Sequence, residues 1–386
     1  MRDEAEYKGD GEVVGLGARG CRDAEGVIAE IVQDVRARGD GALCEWAERF
    51  GDGPPERVAV EGELDGRSLR AVRALAPAVE ADQAAQRPVD PVVSPVAGIE
   101  VERRWLPVDS VGIYVPARLI STLVMTVVPA RVAGVSRIAV ATPRPSSAML
   151  ATARELGVDE VYSLGGAQAI AALAYGTETI PPVAKIIGPG NRYVTAAKLL
   201  VAGDVAIDLP AGPSEVVVIA DDTADAAEAA ADLLAQGEHG PDGASILVTT
   251  SSRVADEVVA RTNGQARIET VASLPEAVAR ANELAPEHLE LLVADPDALA
   301  ADVRNAGAVF LGTTAVLGDY AAGSNHVLPT GGLARGTGGL GLETFLRPVQ
   351  FVRATRAGIA AVRETVETLA ELEGLPLHAE AVAVRA

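Results

Sequence analysis

The chain has 386 residues, a formal net charge of −21 and an apolar content of 48% with only 3% aromatic residues. At roughly 100–200 residues per domain this length predicts two or three domains, and an aliphatic core favours helices packed on parallel sheets. The acidic balance argues against nucleic-acid partners, which need clustered lysine and arginine, and no apolar run reaches the roughly 18 residues of a membrane helix.

The amino-terminal region carries two short patterns that we do not assign to function. The first residues are acidic and lack the apolar core of a signal peptide, so we expect a cytoplasmic protein. Gly15-Leu16-Gly17-Ala18-Arg19-Gly20 matches G-x-G-x-x-G. No second strand follows at the distance that dinucleotide binding requires, so we interpret it as a plain turn. Cys21 and Cys44 form neither a disulfide framework nor a metal knuckle.

Residues 23–49 are predicted to form one amphipathic helix that ends near the loop at 51–55, and periodicity predicts a second helix at about 66–84. Beyond it, helices are predicted at about 145–156, 167–175, 224–236 and 275–285. Between them lie continuous apolar runs, typical of parallel strands covered on both faces. These predicted strands are Arg137–Thr142, Glu160–Ser163, Lys185–Ile187, Glu215–Ala220, Ser245–Thr249, Leu289–Val293 and Ala308–Leu311. The pattern predicts a doubly wound α/β fold in two units, then a glycine-dense loop at 331–342 and a carboxyl-terminal helix with a short tail.

All four histidines lie near a carboxylate or a carboxamide, which favours a chemical role over four unrelated positions. Histidine titrates near neutrality and is the commonest metal ligand. Gln236 and His239 lie three residues apart at the end of a predicted helix, a spacing that places both side chains on one face. Together with two or more further ligands they suit zinc. Alternatively, His239 only favours the negative end of the helix dipole.

Glu287 and His288 are adjacent at the start of a predicted strand, where they either serve two separate proton transfers or form a solvated strand entry. Asp319 and His326 flank a small-residue loop after the strand Ala308–Leu311, where active sites of α/β sheets gather. Asp319 is a candidate metal ligand and His326 a candidate substrate contact. His378 lies five residues after Glu373, in a tail that a neighbouring subunit can contribute to a cleft.

Two glycine-rich turns, Gly165-Gly166-Ala167-Gln168 and Gly188-Pro189-Gly190-Asn191, each follow a predicted strand. Exposed backbone amides at the start of a helix suit an anionic ligand such as a pyrophosphate. Ordinary strand-to-helix turns are the alternative for each of them.

Taken together, these stretches resemble the histidinol dehydrogenase family in collinear order from about residue 23 onward. The matching segments are Val111–Pro116, Val161–Thr177, Gly188–Lys198, Ala211–Glu215, Gln236–Pro241, Ala285–Leu291, Asn305–Gly307, Gly318–Thr330 and Leu372–His378. The resemblance implies a zinc- and NAD-dependent oxidation of L-histidinol through L-histidinaldehyde to L-histidine, the last steps of histidine biosynthesis. It also implies an α/β fold of two incomplete Rossmann-like parallel-sheet domains with small terminal segments, in an intertwined homodimer.

The resemblance also implies a role for each matching residue. One zinc ion per subunit would be held by Gln236, His239, Asp319 and His378. The substrate would meet these four residues together with Ser214, His288, His326 and Glu373. His288 would deprotonate the alcohol, and Glu287 would activate the water that attacks the aldehyde. NAD would meet Tyr114, Gln168 and Asn191.

We predict that residues 21–113 and 215–340 form a first, discontinuous Rossmann-like domain and that residues 114–214 form the second. The segments 1–20 and 341–386 are expected to reach the partner subunit, so that Glu373 and His378 act across the interface.

The sequence departs from the family at two places. After Tyr114-Val115-Pro116 the family continues with two glycines and a longer loop, whereas this chain has a shorter Ala117-Arg118-Leu119-Ile120 without either glycine. The stretch between His239 and Glu287 is also shorter.

Two other functions stay open: a paralogue that oxidises another amino alcohol or diol with NAD, and a non-catalytic zinc- or ligand-binding homologue. A zinc hydrolase is disfavoured because the chain has no H-E-x-x-H pair.

Overall fold

The computed structural model describes residues 22–50, 55–240 and 242–386. Its α-helices are α1 Arg22–Arg38, α2 Asp40–Phe50, α3 Gly66–Ala85, α4 Ile120–Ala133, α5 Ser147–Glu155, α6 Gly166–Tyr175, α7 Arg192–Val201, α8 Ala226–Gly237, α9 Ser252–Thr262, α10 Leu274–Leu284, α11 Pro296–Ala300, α12 Val316–Tyr320, α13 Arg356–Leu372 and α14 Pro376–Ala383. Its strands are β1 Glu56–Val58, β2 Val92–Val96, β3 Ile99–Pro107, β4 Ser110–Tyr114, β5 Arg137–Thr142, β6 Glu160–Ser163, β7 Lys185–Ile187, β8 Ala206–Ile207, β9 Glu215–Ala220, β10 Ala244–Thr249, β11 Arg267–Thr270, β12 His288–Leu292, β13 Ala308–Leu311 and β14 Leu346–Ala354. The motif at 15–20, Cys21 and the segment 1–20 lie outside the described residues.

Six strands form the first sheet, in the order β1-β6-β5-β4-β7-β8. The pairs are parallel except for β1, which runs antiparallel to β6. Helices α1, α2, α6 and α7 bury one face, and α4 and α5 bury the other. Because both faces are covered, the central strands β4 and β5 are buried along nearly their whole length, as is typical of parallel strands.

Five parallel strands form the second sheet, in the order β11-β10-β9-β12-β13. Helices α8 and α9 pack on one face, and α10 with α11 packs on the other. The two sheets with their helices confirm the α/β class with parallel-sheet regions. None of the helices in the described ranges is both long and apolar enough to cross a membrane.

A third, antiparallel sheet, β14-β3-β2, was not predicted. β14 pairs with β3 along nine residues, from Leu346 opposite Pro107 to Ala354 opposite Ile99. It leads directly into α13, whose capping residue Thr355 donates its backbone N–H to the Gly98 carbonyl. The carboxyl-terminal segment is therefore two helices attached to the chain through this sheet.

Other predictions need correction. The predicted helix at 23–49 is divided into α1 and α2, because Gly39 adopts a left-handed conformation with φ 56°. Helix α4 was missed because it is buried on nearly all sides and shows no amphipathic periodicity. The predicted grouping of residues 21–113 with 215–340 also differs from the strand pairing, since β1 and β4 lie in the first sheet.

A buried ion pair holds the turn that follows β7. Lys198 is 1% exposed, and its Nζ donates to Asp208 and to the carbonyl oxygens of Gly188 and Leu209, both at 2.9 Å. Asp208 Oδ2 in turn accepts the Gly188 N–H at 2.7 Å. Gly188 has φ 106°, and a Cβ there would overlap the carbonyl oxygen of Tyr114. The pair thus fixes both backbone polar groups of Gly188 against the end of β4.

We predict that Lys198→Met lowers the free energy of unfolding by about 3–5 kcal/mol, because it leaves the Asp208 carboxylate buried without a cation. The double variant Lys198→Met/Asp208→Asn removes both charges and is expected to be more stable than the single variant. Denaturant unfolding measures both values. The control is Glu257→Gln, which breaks the exposed Arg253–Glu257 pair and should cost about 0–1 kcal/mol. Equal losses for Lys198→Met and Glu257→Gln would contradict this account.

Candidate active site

Polar side chains gather at the amino end of the second sheet. Ser214 precedes β9, Glu287 and His288 stand at the beginning of β12, and Gln236 lies near the end of α8, which leads toward β10. His288 pairs with Val216 of β9 and Ala308 of β13, so it has a neighbouring strand on each side. Three parallel strands therefore begin around one group of titratable residues.

Glu287 is buried and held by Ser214 and Glu215 at the start of β9. Its Oε2 accepts the Ser214 hydroxyl at 2.6 Å and the Glu215 N–H at 2.9 Å. The pKa of Glu287 is raised to about 8, chiefly by burial; the charges of Glu215 and Asp319 act in the same direction, and the two hydrogen bonds act against it. The carboxyl group therefore keeps its proton well above the range of an exposed glutamate.

His288 is 5% exposed, and one of its two ring nitrogens has a fixed partner. Nδ1 lies 3.2 Å from the Glu215 carbonyl oxygen, which can only accept, so the proton is on Nδ1. Nε2 is buried and has no hydrogen-bond partner in the described chain. Burial lowers the pKa of His288, although the Asp319 charge acts in the opposite direction. A neutral imidazole with a free Nε2 lone pair is suited to act as a general base.

The segment after β13 brings two more predicted residues together. His326 Nδ1 lies 3.5 Å from Asp319 Oδ1, and His326 Nε2 lies 3.1 Å from the hydroxyl of Thr122 on α4. The Asn325 side chain donates to the Met125 carbonyl at 2.6 Å, which fixes this loop on α4. Because the Asp319 and His326 charges both affect the pKa of His288, the pair belongs to the same site.

Gln236 and His239 differ in environment. Gln236 is 7% exposed; its Oε1 lies 3.3 Å from the Ser214 hydroxyl, and its Nε2 is buried without a partner. Helix α8 ends at Gly237, so His239 lies in the following turn and is exposed. His239 therefore lies beyond the helix, in the turn that its N–H closes onto the Gln236 carbonyl, and its charge contributes to the pKa of His288.

Glu373 and His378 are not brought to this site within one chain. Both are exposed, Glu373 at the end of α13 and His378 in α14. The His378 backbone N–H makes a local hydrogen bond to the Leu375 carbonyl. Within the described ranges of a single chain, no three histidine, cysteine, aspartate or glutamate side chains converge on a point that could hold a metal ion. One chain therefore assembles only part of the predicted ligand set.

The predicted zinc ligands near the second sheet have side chains of types that suit a zinc ion. A carboxamide, an imidazole and a carboxylate, from Gln236, His239 and Asp319, are ligands of the types that zinc accepts. The buried Gln236 Nε2 and His288 Nε2 both lack partners in the described chain. Buried polar atoms without partners indicate a missing group, here a polar ligand at this edge of the sheet.

The predicted NAD residues lie at the carboxyl ends of strands in the first sheet. Tyr114 ends β4, Gln168 follows β6 at the start of α6, and Asn191 follows β7 and caps α7. β4 has β5 on one side and β7 on the other, so the chain reverses its winding direction there. Ligands of open α/β sheets bind in the crevice at such a switch point.

Gln168 gives the strongest indication of a ligand here. It is 1% exposed, and neither its Oε1 nor its Nε2 has a hydrogen-bond partner in the described chain. The neighbouring Gly166 N–H lies 3.4 Å from the Tyr114 hydroxyl. Asn191 also has a structural role, since its Oδ1 accepts the N–H groups of Tyr193 and Val194, both at 3.1 Å. The buried carboxamide and the α6 amino terminus fit a polar cofactor.

The shortened loop beside Tyr114 keeps a glycine-like backbone without glycine. Arg118 has φ 74°, in the left-handed region. A residue with a Cβ pays about 1–2 kcal/mol for that conformation. The loop therefore turns into α4 as a glycine would allow, and it places Thr122 at the His326 side chain.

Sequence reasoning missed Thr122, Asp232 and Glu290. Thr122 was visible only as part of the loop that follows Tyr114. Glu290 did give a signal, because an acidic residue inside the apolar run Leu289–Val293 needs an explanation. Asp232 lies four residues before Gln236, on the same face of α8.

Comparison with known proteins gives one consistent result. A family model described as histidinol dehydrogenase matches residues 18–386. The histidinol dehydrogenase of Rhizobium meliloti (strain 1021) is 44% identical over 400 residues, covering 94% of this chain and 92% of the relative. That of Halobacterium salinarum is 45% identical over 391 residues, with coverage of 93% and 92%. The crystal structure of histidinol dehydrogenase from Elizabethkingia anophelis superposes with a TM-score of 0.89 at 34% identity, covering 96% and 93%.

A more distant likeness concerns the fold alone. Succinate-semialdehyde dehydrogenase from Burkholderia pseudomallei superposes with a TM-score of 0.53 at 15% identity, covering 88% of this chain and 87% of that one.

The pKa of Glu287 predicts a pH dependence of stability in the metal-free protein. Between about 4.5 and about 8 the folded state keeps a proton that the unfolded state has lost. The free energy of unfolding should therefore fall as the pH rises through this window, with a slope on the order of 1 kcal/mol per pH unit from this group. Glu287→Gln should decline less steeply over the same window, as measured by denaturant unfolding at each pH. Glu257→Gln, at an exposed position, is the control, and its free energy of unfolding should show the same pH dependence as that of the wild type. A Glu287→Gln curve parallel to the wild type would contradict the assignment.

Proposed function

The chain belongs to the histidinol dehydrogenase family, and we propose that it oxidises L-histidinol in two steps, through L-histidinaldehyde to L-histidine, with one zinc ion per subunit and NAD. Within that family identity, the chain is an oxidoreductase of histidine biosynthesis. The observation that carries the two-step proposal is the buried pair at the start of β12. An imidazole with a free Nε2 and a carboxyl group with a raised pKa lie side by side there.

We assign the first proton transfer to His288. Its Nδ1–H is engaged by the Glu215 carbonyl, so Nε2 is the nitrogen that can accept a proton. The lowered pKa keeps the ring neutral near neutrality. His288 Nε2 would take the hydroxyl proton of the alcohol as the carbinol hydrogen leaves as hydride. NAD, when bound, supplies the hydride acceptor.

We assign the second proton transfer to Glu287. Oxidation of an aldehyde to an acid requires the addition of water, and a carboxylate can take the proton of that water. Glu287 acts in its ionised form, whose fraction grows as the pH approaches its raised pKa of about 8. The Ser214 hydroxyl and the Glu215 N–H both hold Oε2, which orients the carboxyl group. His288 would again take a hydroxyl proton as the hydrated aldehyde loses a second hydride, so each histidinol molecule reduces two NAD.

The proposed binding residues divide between the two sheets. At the second sheet, Ser214, His326 and Glu373 would contact the substrate, together with His288 and the zinc ligands Gln236, His239, Asp319 and His378. Zinc, when bound, would hold the amino and imidazole nitrogens of histidinol. At the first sheet, Tyr114, Gln168 and Asn191 would hold NAD, which is supported by the position of Tyr114 and Asn191 at the switch point.

We further propose a homodimer in which the partner supplies Glu373 and His378. Support comes from the exposed apolar residues that surround them. Leu372 is 79% exposed, Leu377 74% and Val384 67%. Contiguous exposed apolar side chains of this kind mark an interaction surface. A second copy that covers them would also bring an acidic group and an imidazole to the incomplete site.

The test counts NADH and histidine formed per L-histidinol by zinc-loaded protein. We expect two NADH per histidinol for the wild type. For Glu287→Gln we expect one fast NADH with accumulation of the aldehyde, and for His288→Asn a loss of about 10²–10⁴ in both steps. Glu257→Gln is the control with unchanged turnover.

Equal losses in both steps for Glu287→Gln would contradict the division of roles. Wild-type protein that binds zinc and forms no NADH from histidinol would contradict the proposed activity. It would direct attention to other amino alcohols or to a non-catalytic role.

A further inference from the structure

Glu290 is a buried acid that the proposed reaction does not use. It is 0% exposed, and it is the second residue after His288 on β12, so both side chains project from the same face of the strand. Its Oε1 accepts the Ala315 N–H at 2.5 Å. Its Oε2 is buried and has no donor partner in the described chain. A carboxylate in such a place needs either a cation or a proton.

The group beside Glu290 is another acid, Asp232 of α8. The Asp232 carboxyl lies close enough to Glu290 for a hydrogen bond that raises the pKa of Glu290, and Asp232 Oδ1 accepts the Thr314 hydroxyl at 2.7 Å. No arginine, lysine or histidine of the described ranges forms an ion pair with either acid. The pKa of Glu290 is raised to about 8, chiefly by burial and in addition by the neighbouring Asp232. Two carboxyl groups can be hydrogen-bonded only when one of them carries a proton.

These contacts connect three elements, each of which carries a residue of the candidate site. β12 carries His288 two residues before Glu290. Helix α8 carries Gln236 one turn after Asp232, on the same helical face. Thr314 and Ala315 lead into α12, which carries Asp319. The contacts of the two acids therefore affect the distances between β12, α8 and α12, and with them the distances between His288, Gln236 and Asp319.

We propose that Asp232 and Glu290 share one proton and act as a positioning pair, which holds β12, α8 and the start of α12 in register for the active site. We call these two residues the acid pair. The proposal rests on the proposed function for the roles of the residues that are positioned. Residues that do not bind a metal themselves but orient its ligands typically change metal affinity or activity by about 10–100-fold when they are mutated.

The experiment compares Glu290→Gln with Glu290→Leu in the full-length protein. Gln keeps an acceptor for Ala315 and donates to Asp232, so zinc affinity and kcat should stay within a few-fold of the wild type. Leu removes the buried polar group and fills its place with an apolar side chain, so the protein should stay folded. We expect Glu290→Leu to lose about 10–100-fold in zinc affinity and in kcat. KM for NAD should not change, because the proposed cofactor site lies on the first sheet.

Zinc affinity is measured by competition with a chromophoric chelator, and thermal unfolding is followed in parallel. A merely structural role predicts that kcat and zinc affinity follow the loss of stability. Glu290→Leu with wild-type zinc affinity and kcat would overturn the proposal. Glu228→Ala, an exposed acid on α8, is the matched control and should behave as wild type.

If Glu290→Leu does not fold, Asp232 provides the second comparison, because it lies partly exposed on α8. Asp232→Asn should retain zinc affinity and turnover, whereas Asp232→Ala should lose both. Equal behaviour of the two variants would overturn the positioning role.

Infrared spectroscopy detects the shared proton independently of catalysis. We expect a protonated-carboxyl band at neutral pH, in addition to that of Glu287, that disappears in Glu290→Gln, and an unchanged spectrum would overturn the proposal. Wild-type protein that shows this band but does not oxidise histidinol would contradict the proposed function and leave the acid pair supported.

Discussion

The burial of Glu287 and His288 beside the start of β9 is the constraint from which the chemistry of this site follows. Removal from water disfavours the charged form of both groups, so it raises the pKa of the acid and lowers that of the imidazole. The backbone of Glu215 then distinguishes them, because its N–H donates to Glu287 and its carbonyl accepts from His288. One peptide segment thereby holds a protonated carboxyl group and a neutral imidazole next to each other.

The two sheets meet around this pair through a small number of hydrogen bonds. His326 contacts Thr122 of α4, which packs on the first sheet. Gly212, just before β9, donates its N–H to the Thr330 hydroxyl at 2.5 Å, and Gly331 donates to the Glu215 side chain at 2.9 Å. The segment 323–331 therefore touches both halves. It connects the carboxyl end of β4, where a cofactor would lie, with the amino end of β12, where the substrate would lie.

The sequence predicted seven strands of the two parallel sheets closely, because strands covered on both faces are continuous apolar runs, but it missed β1, β4, β8 and β11. It failed where that signal is absent. Helix α4 is buried on nearly all sides and shows no periodicity, and Gly39 divides one predicted helix into two. Gln236, Glu287, His288, Asp319 and His326 could be selected as one group only through the family resemblance, since they lie far apart in the chain. Asp232 and Glu290 required the structure, because their significance depends on a contact between a helix and a strand.

The central claim is that one chain builds an incomplete site and that a second chain completes it with Glu373 and His378. The most direct test mixes two inactive variants, His378→Asn and His288→Asn, after co-expression or reversible dissociation. In a mixed dimer, one site combines the intact His288 of one chain with the intact His378 of the other. For random two-fold pairing of equal amounts we predict recovery of about a quarter of wild-type activity. No recovery from mixtures in which mixed dimers are shown to form would contradict the shared site.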